Sequence, residues 1–181
     1  MTDGIRPIPQ VETDRLALRA PRQEDLPAFA RFFADQTASR FVGGVKTRAE
    51  TWRALASVIG HWHFRGFGLW TITFKDSAEP VGYCGGWAPE GWPEQEIGYS
   101  VFPAFQRQGI AGEVIRASLD FVYRSCGWQT AVSYVHPDNI ASQRTAQSCG
   151  ATREGNAELP GGEAVQVWRH LTPQQLKEQP A

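Results

Sequence analysis

Cysteine is scarce in this chain, and long apolar runs are absent. The 181 residues include three cysteines, at positions 84, 126 and 149, and none belongs to a CxxC pair. An odd, low count favours reduced thiols in a cytoplasm over a disulfide framework. No apolar stretch approaches the length of a membrane span, and the N-terminal MTDGIRPIPQVETDR lacks the apolar core of a signal peptide. We therefore predict a soluble cytoplasmic protein with no membrane partner.

An excess of charge of either sign is also missing. Lys and Arg total 18 against 19 Asp and Glu, which gives a formal net charge of -1, and the arginines are scattered along the chain. A nucleic-acid-binding domain normally carries a basic patch or stripe. Nucleic acid is therefore not an expected partner.

The histidines do not form a metal-binding pattern. His61 and His63 are two residues apart, and a helix directs such residues to different faces. His136 lies far along the chain, and no carboxylate or cysteine stands at ligand spacing. We predict no metal site.

Hydrophobic periodicity divides the chain into strands and helices in a mixed order. Alternating apolar residues indicate strands at 15–20, 66–74, 80–88, 94–102, 129–135, 151–158 and 164–171. Apolar residues at helical spacing indicate helices at 22–35, 47–64, 110–125 and 139–150. Thr47 and Glu50 form a predicted capping box, and Gly150 is a predicted C-cap. The order predicts one α+β (mixed α/β) domain over 1–181, with flexible ends at 1–12 and 173–181.

The segment VFPAFQRQGIAGE, at 101–113, places small residues and extra amides just before a helix. A helix N-terminus presents unpaired backbone N–H groups and the positive end of the macrodipole, which suits an anion. Three small residues of this turn let an anion come close to the backbone amides, namely Gly109, Ala111 and Gly112. Three side chains add hydrogen-bond donors at its edge, namely Gln106, Arg107 and Gln108. It matches neither the P-loop pattern nor GxGxxG. It predicts a site for a phosphate-sized anion, or else an ordinary helix start with permissive residues.

Five segments, taken in order, resemble the GNAT N-acetyltransferases, a family that uses acetyl-CoA. They are ETDRLALRAPRQED (12–25), GLWTI (68–72), PVGYCGG (80–86), EIGYSVFPAFQRQGIAGE (96–113) and DNIASQRTAQSCGA (138–151). Their order and spacing carry the resemblance, which spans nearly the whole chain and is nearest to the branch of ribosomal-protein-alanine and spermidine acetyltransferases. The resemblance implies a central mixed, mostly antiparallel sheet of about seven strands, flanked by about four helices and splayed between its middle strands.

The resemblance implies where acetyl-CoA binds. In the family the strand before the turn splays from its neighbour at a bulge, and the pantetheine arm pairs with the exposed edge, here Tyr99, Ser100 and Val101. An amide of this strand polarises the thioester carbonyl. Asn139 matches an asparagine that hydrogen-bonds the cofactor, although an asparagine there is also a good N-cap. The pyrophosphate is expected on the amides of Gln106, Arg107, Gln108, Gly109, Ile110, Ala111 and Gly112.

The resemblance also implies candidate catalytic residues. Glu96 matches a position where several relatives carry the general base, and it shares a strand face with Gly98 and Ser100. The attacking amine must lose a proton, because a lysine-like ammonium has a pKa of about 10.4. The alternative for Glu96 is a solvated strand glutamate or a salt bridge. Relatives often carry a tyrosine seven residues after the asparagine to protonate the thiolate. This chain has Ala146 there, which leaves Ser142 or water as the acid, and Ser142 is otherwise an ordinary helix serine.

These expectations define an acetyl-CoA-dependent N-acetyltransferase that acts on a primary amine by direct attack in a ternary complex. The acceptor is a peptide or protein N-terminus or a small-molecule amine, since the chain lacks the acidic run that a polyamine favours. The alternatives are an acyl-CoA-binding module of the same fold without efficient transfer, and a nucleotide enzyme of another fold. General statistics favour a homodimer. Five aromatic residues are candidates for the wall of the acceptor site, although core filling is expected for most of them: Trp52, Trp62, Phe67, Trp87 and Trp92. Trp92, in a proline-bounded loop, is the candidate for a lid.

Overall fold

A computed structural model of the chain, which describes residues 7–178, is built around one eight-stranded sheet with six α-helices. The strands are β1 (Val11–Glu12), β2 (Leu16–Arg19), β3 (Leu69–Phe74), β4 (Gly82–Trp87), β5 (Glu96–Val101), β6 (Val132–Val135), β7 (Thr152–Leu159) and β8 (Glu163–Arg169). The helices are α1 (Leu26–Ala34), α2 (Gln36–Ser39), α3 (Arg48–Arg65), α4 (Ile110–Ser125), α5 (Ile140–Ser148) and α6 (Pro173–Lys177). None of these helices is both long and apolar enough to cross a bilayer.

The predicted fold class and order of elements are confirmed, and the additional elements are short. The structure adds β1, α2 and α6, which have two, four and five residues. Elements of this length are too short to show a hydrophobic period in the sequence. The predicted flexible ends, 1–12 and 173–181, lie partly outside the described residues, and their described parts include β1 and α6.

The sheet follows the order β1-β2-β3-β4-β5-β6-β8-β7, and it opens between its two middle strands. Neighbouring strands are antiparallel except β5 and β6, which run parallel and share a single residue pair, Glu96 with Val132, in the described chain. Beyond it, the Ser133 hydroxyl donates to the carbonyl of Ile97 at 2.8 Å. The predicted splay is therefore present.

The bulge expected beside this splay is not found in β5. Strands β4 and β5 pair in continuous register from Gly82–Val101 to Trp87–Glu96. A register shift occurs instead in β7, between Arg153 and Gly155. The gap thus forms because β6 diverges from a regular β5, and no extra residue is inserted.

The two faces of the sheet pack against different helices. One face packs on α4 through a buried core that includes Trp70, Ile97 and Val114. The other face carries Tyr83, whose ring centre lies 6.1 Å from that of Phe29 on α1. Because successive side chains of a strand alternate between faces, the even-numbered residues of β5 face α1 and α3.

A buried ion pair fixes the start of α1 to the sheet. Arg19 on β2 donates to the two carboxylate oxygens of Asp25 at 2.7 and 2.8 Å, and the two residues are 7% and 2% exposed. The Thr71 hydroxyl on β3 and the backbone N–H of Arg22 each donate to the same carboxylate at 2.9 Å. Asp25 immediately precedes α1, so these bonds determine where the helix begins.

The predicted capping box is present at α3. The Thr47 hydroxyl accepts from the Glu50 N–H at 3.3 Å, and the Glu50 carboxylate accepts from the Thr47 N–H at 2.8 Å. At the end of α5 the cap residue is Cys149, and the predicted Gly150 follows it with a φ of +82°. Both boundaries therefore lie within one residue of their sequence signals.

Candidate functional site

A long cavity of about 800 Å³ lies in the gap between β5 and α5. Except for Gln108, every residue predicted to contact the cofactor lines it: Tyr99, Ser100, Val101, Gln106, Arg107, Gly109, Ile110, Ala111, Gly112, Asn139 and Ser142. We call it the groove. Residues far apart in sequence thus meet on one continuous surface.

The turn before α4 offers amides to the groove. Gly109 and Arg107 have φ values of 77° and 61°, both in the left-handed region, and Arg107 is the non-glycine residue with a positive φ in the described chain. For a residue other than glycine, as at Arg107, this conformation costs about 1–3 kcal/mol, and such strain clusters at functional sites. By helix geometry the N–H groups of Ile110, Ala111 and Gly112 have no partner inside α4, and no side chain caps the helix. This concave set of donors suits an anion.

Arg15 and Glu113 hold this turn in place. Arg15 donates to the carbonyl of Gln108 at 2.6 Å and to the carboxylate of Glu113 at 2.7 Å. The Thr13 hydroxyl donates to the other oxygen of that carboxylate. Gln108 is the predicted contact residue that does not line the groove, and its carbonyl serves to anchor the turn.

The edge of β5 presents alternate residues to the gap. The Ile97 carbonyl accepts from Ser133 on β6, so the backbone groups of Ile97 face the gap. Because backbone groups alternate sides along a strand, those of Tyr99 and Val101 also face the gap, whereas those of Ser100 face β4. The available edge therefore consists of Tyr99 and Val101.

Two predicted donors make contacts within the protein. The Gln106 side chain donates to the carbonyl of Val101 at 3.0 Å. The Asn139 side-chain oxygen accepts from the N–H of Ser142 at 3.2 Å, which is the N-cap that the sequence left open. The cap uses the oxygen of Asn139 and leaves its NH₂ group to donate into the groove. The Tyr99 hydroxyl donates to the carbonyl of Ser142 at 3.0 Å and so joins β5 to α5.

A second cavity of about 300 Å³ adjoins the groove and contains Glu96. The two share five lining residues, namely Phe41, Val42, Tyr99, Asn139 and Ser142. We call this second space the acceptor cavity. The predicted base and the predicted cofactor contacts therefore lie along one connected surface.

Glu96 is a buried carboxylate with a single strong side-chain partner. It is 9% exposed, and it accepts a hydrogen bond of 2.9 Å from the indole N–H of Trp92. Burial raises the pKa of Glu96 to about 7, while hydrogen bonds from Trp92 and from the backbone of Tyr134 oppose the increase. It is not a solvated strand glutamate. A carboxylate whose pKa lies near neutrality can take up a proton under physiological conditions.

Ala146, which stands where relatives carry a tyrosine, is fully buried. It packs with Val135, Ala151 and Trp168 between α5 and the sheet. Position 146 therefore contributes to packing, and Ser142 is a residue of α5 that lines both cavities.

The predicted aromatic wall is divided between the cavity, the core and solvent. Trp87 and Trp92 line the acceptor cavity. Trp62 and Phe67 are buried in the main core. Trp52 is 53% exposed on α3. Two of the five aromatic residues thus line the site, and Trp92 also donates its indole N–H to Glu96.

His61 supports the cavity wall. Its Nε2 accepts from the Ala88 N–H at 3.1 Å, so its Nδ1 carries the proton and donates to the carbonyl of Phe67 at 2.9 Å. The ring stacks on Trp87 at 4.4 Å, and burial lowers the pKa of His61. Within residues 7–178, no group of three or more His, Cys, Asp or Glu side chains is arranged to hold a metal.

Part of the groove comes from residues that the sequence did not single out. Asp35, Thr37 and Phe41, in and beside α2, form its opposite wall, and Arg116 adds a cation. The four-residue α2 has no sequence period to reveal it. Arg116 does have a signal, because it lies four residues after Gly112 and so shares its face of α4.

The chain matches known acetyltransferases over most of its length. Residues 15–152 match the family model described as acetyltransferase (GNAT) domain. The acetyltransferase from Agrobacterium tumefaciens strain C58 is 30% identical, with a TM-score of 0.83 over 92% of this chain and 96% of that one. YoaA, an uncharacterised N-acetyltransferase of Bacillus subtilis, is 29% identical over 153 residues, 81% of this chain and 85% of that protein. An aminoglycoside acetyltransferase, AAC(6')-Ib, solved in complex with coenzyme A, shares the fold at 18% identity, with a TM-score of 0.75 over 91% and 98% of the two chains. This protein belongs to the GNAT acetyltransferase family.

Proposed function

We propose that this protein is an acetyl-CoA-dependent N-acetyltransferase that acetylates a primary amine by direct attack in a ternary complex. The observation that carries the proposal is the connection between two cavities. One is lined by an open strand edge and a turn of unpaired amides. The other contains a buried carboxylate whose pKa is about 7. This arrangement suits a reaction between two substrates that are bound together.

The groove has the features that coenzyme A requires. The backbone groups of Tyr99 and Val101 can pair with the amides of a pantetheine arm, as a neighbouring strand would. The amides at the start of α4 suit a pyrophosphate, and Arg107 and Arg116 add positive charge at the groove. The coenzyme supplies the activated acetyl thioester. The coenzyme A complex of AAC(6')-Ib, which has the same fold, supports this assignment.

The residues around the connection have complementary roles. The Glu96 carboxylate accepts the proton that the amine must lose, directly or through water. A backbone N–H of Tyr99 or Val101 stabilises negative charge on the thioester oxygen. Ser142 lines both cavities, and its hydroxyl is the candidate donor to the departing sulfur. A thiolate of pKa about 8.5 also leaves without an acid.

A binding module without transfer is the less favoured alternative. Its main support was the alanine at position 146, where relatives place a tyrosine. Ala146 is buried in a packing cluster, so its identity says little about the groove. A module would also not need a carboxylate of raised pKa beside the groove.

Gly109→Glu tests the cofactor site by calorimetric titration with acetyl-CoA, with coenzyme A and ATP for comparison. We expect the acetyl-CoA affinity to fall at least about tenfold, since the carboxylate repels the pyrophosphate at the amide turn. Gly127→Glu is a matched control, because Gly127 has a similar φ of +70° and open space around it. The control should bind as the parent does. Equal affinities for the two variants, or no binding by the parent, would refute the proposed site.

Trp92→Phe tests the link between the lid residue and the base. The indole hydrogen bond stabilises the charged form of Glu96, so its loss should raise the pKa of that carboxylate further. We expect the acidic limb of kcat/KM to move upward by about one pH unit. Phenylalanine keeps the aromatic contact with Tyr134, whose ring centre lies 6.3 Å away. The pH dependence of acetyl transfer measures the shift, and an unmoved limb would show that Trp92 does not act through Glu96.

A further inference from the structure

The acceptor cavity adjoins a third, apolar cavity between the sheet and helices α1 and α3. This apolar cavity has a volume of about 230 Å³ and shares Val42, Leu69, Tyr83 and Trp87 with the acceptor cavity. The helices contribute Phe29, Phe33, Leu55 and Val58. A substrate with its nitrogen at Glu96 therefore has apolar surface within reach of its remaining atoms.

The sheet has two glycines side by side beneath the acceptor cavity. Gly85 on β4 pairs directly with Gly98 on β5. Gly85 is required by the fold, because its φ is +152° and a Cβ would lie 2.1 Å from the carbonyl oxygen of Gly68. At Gly98 a Cβ would meet its nearest heavy atom, Leu69 Cδ2, at 3.5 Å, which is an ordinary contact. The fold therefore has room for a Cβ at position 98, although glycine is less favourable than alanine within a strand.

A side chain at position 98 would fill the space beside the proposed base. Its Cβ would lie 3.9 Å from Oε1 of Glu96 and 3.9 Å from Cβ of Trp87. An acceptor must bring its nitrogen to this place. Gly98 lines the acceptor cavity, and its neighbours Leu69 and Trp87 line both cavities. Glycine at position 98 therefore leaves space beside Glu96 on the side of the apolar cavity, and we call this space the passage.

The charge around the apolar cavity disfavours a second cation. Lys46 lines this cavity, and its ammonium donates to the carbonyls of Gly43 and Gly44 at 2.8 and 3.4 Å. The same ammonium lies 4.6 Å from the centre of the Phe33 ring. A polyamine or aminoglycoside would place another ammonium beside this cation, in a wall that offers no carboxylate among its lining residues.

We propose that the acceptor is a primary amine that carries one apolar group of aromatic size. Its nitrogen lies beside Glu96, and its apolar group passes over Gly98 into the apolar cavity. Gly98 is then the residue that determines this specificity. The inference rests on the proposed function, because it defines the substrate class of the same site.

A panel of four amines tests the substrate class. Initial rates of thiol release from acetyl-CoA are measured with 2-phenylethylamine, ethylamine, spermidine and kanamycin. Burying an aromatic group contributes about 1.5–3 kcal/mol, so we expect kcat/KM for 2-phenylethylamine to exceed that for ethylamine by about 10- to 100-fold. It should also exceed the values for spermidine and kanamycin. A preference for either polycation would overturn the inference.

Gly98→Val tests the passage itself. We expect the ratio of kcat/KM for 2-phenylethylamine to that for ethylamine to fall about tenfold or more, since the new side chain obstructs the larger group first. Calorimetry should give a parent-like acetyl-CoA affinity, and the thermal midpoint should not fall. Gly155→Val is a matched control, because Gly155 lies within β7 with open space at its Cβ position. An unchanged ratio in Gly98→Val would overturn the inference.

The outcomes separate this inference from the proposed function. Failure to bind acetyl-CoA and to acetylate any amine would refute the proposed function itself. A protein that binds acetyl-CoA and acetylates only polar or polycationic amines would refute the apolar acceptor alone. A protein that binds acetyl-CoA and acetylates none of the four amines would refute the apolar acceptor and favour a binding module.

Discussion

Glu96→Gln is expected to lower kcat/KM for amine acetylation by about 10²- to 10⁴-fold near pH 8. Glutamine retains the shape of the side chain and can still accept the hydrogen bond from Trp92, but it cannot take up the amine proton. Burial raises the pKa of Glu96 to about 7, so the parent should lose activity as the pH falls through about 7. Initial rates across this range measure both effects, and the variant should lack the limb near pH 7 while it keeps the dependence on protonation of the amine itself.

The stability of the same variant provides its control. The pKa of Glu96 in the folded state lies above the ordinary glutamate value of about 4.3, so the native state holds this proton more tightly than the unfolded state does. The free energy of unfolding of the parent therefore falls as the pH rises between these values. Glutamine does not ionise, so its burial does not destabilise the native state as the pH rises. The thermal midpoint of Glu96→Gln at pH 8 should therefore equal or exceed that of the parent. Parent-like turnover by this folded variant would contradict the role of Glu96 as base.

Asp25→Ala is expected to lower the free energy of unfolding by about 3–5 kcal/mol. The substitution leaves the guanidinium of Arg19 buried without its carboxylate, and it removes the acceptor for Thr71 and for the N–H of Arg22. The start of α1 then loses its attachment to β2 and β3. Urea denaturation at neutral pH measures the change.

Asp120→Ala is the matched control for this loss. Asp120 forms an exposed ion pair with Arg124 at 2.6 Å, one helical turn away on α4. Such surface pairs contribute about 0.3–0.5 kcal/mol because water screens both charges. If Asp25→Ala and Asp120→Ala lowered the free energy of unfolding by equal amounts, the buried pair would contribute no more than a surface pair.

The predictable part of the fold depended on local signals. The capping box of Thr47 and Glu50, and Gly109 before α4, mark helix boundaries that local chemistry determines. The stripe that begins at Ile110 identifies α4 through its period. Short elements such as α2 carry no period, so their presence and their place beside the groove follow from tertiary packing.

The family resemblance supplied the distant residues Glu96, Asn139 and Ser142, which line the connected cavities. Apart from the resemblance, the candidate site was predictable only where neighbours in sequence are also neighbours in space. The turn at 106–112 met this condition, and most of its residues line the groove. The directions of the backbone N–H and C=O groups did not meet this condition, because they depend on how β5 pairs with β4. That pairing directs the backbone groups of Ser100 toward β4 and away from the gap. The apolar cavity was beyond sequence reasoning, since its wall joins Phe29 on α1, Lys46 in the loop before α3 and Trp87 on β4.

The opening between β5 and β6 also affects how long a copy of the protein survives. The sheet consists of two half-sheets that meet through the pair Glu96–Val132 and through hydrogen bonds from Val132 to Gln95 and from Ser133 to Ile97. A ligand that fills the opening binds both halves only while both are folded. At 100 times its dissociation constant it adds about 2.7 kcal/mol to stability. We therefore expect protease to cleave the protein without its ligand faster than the protein with its ligand.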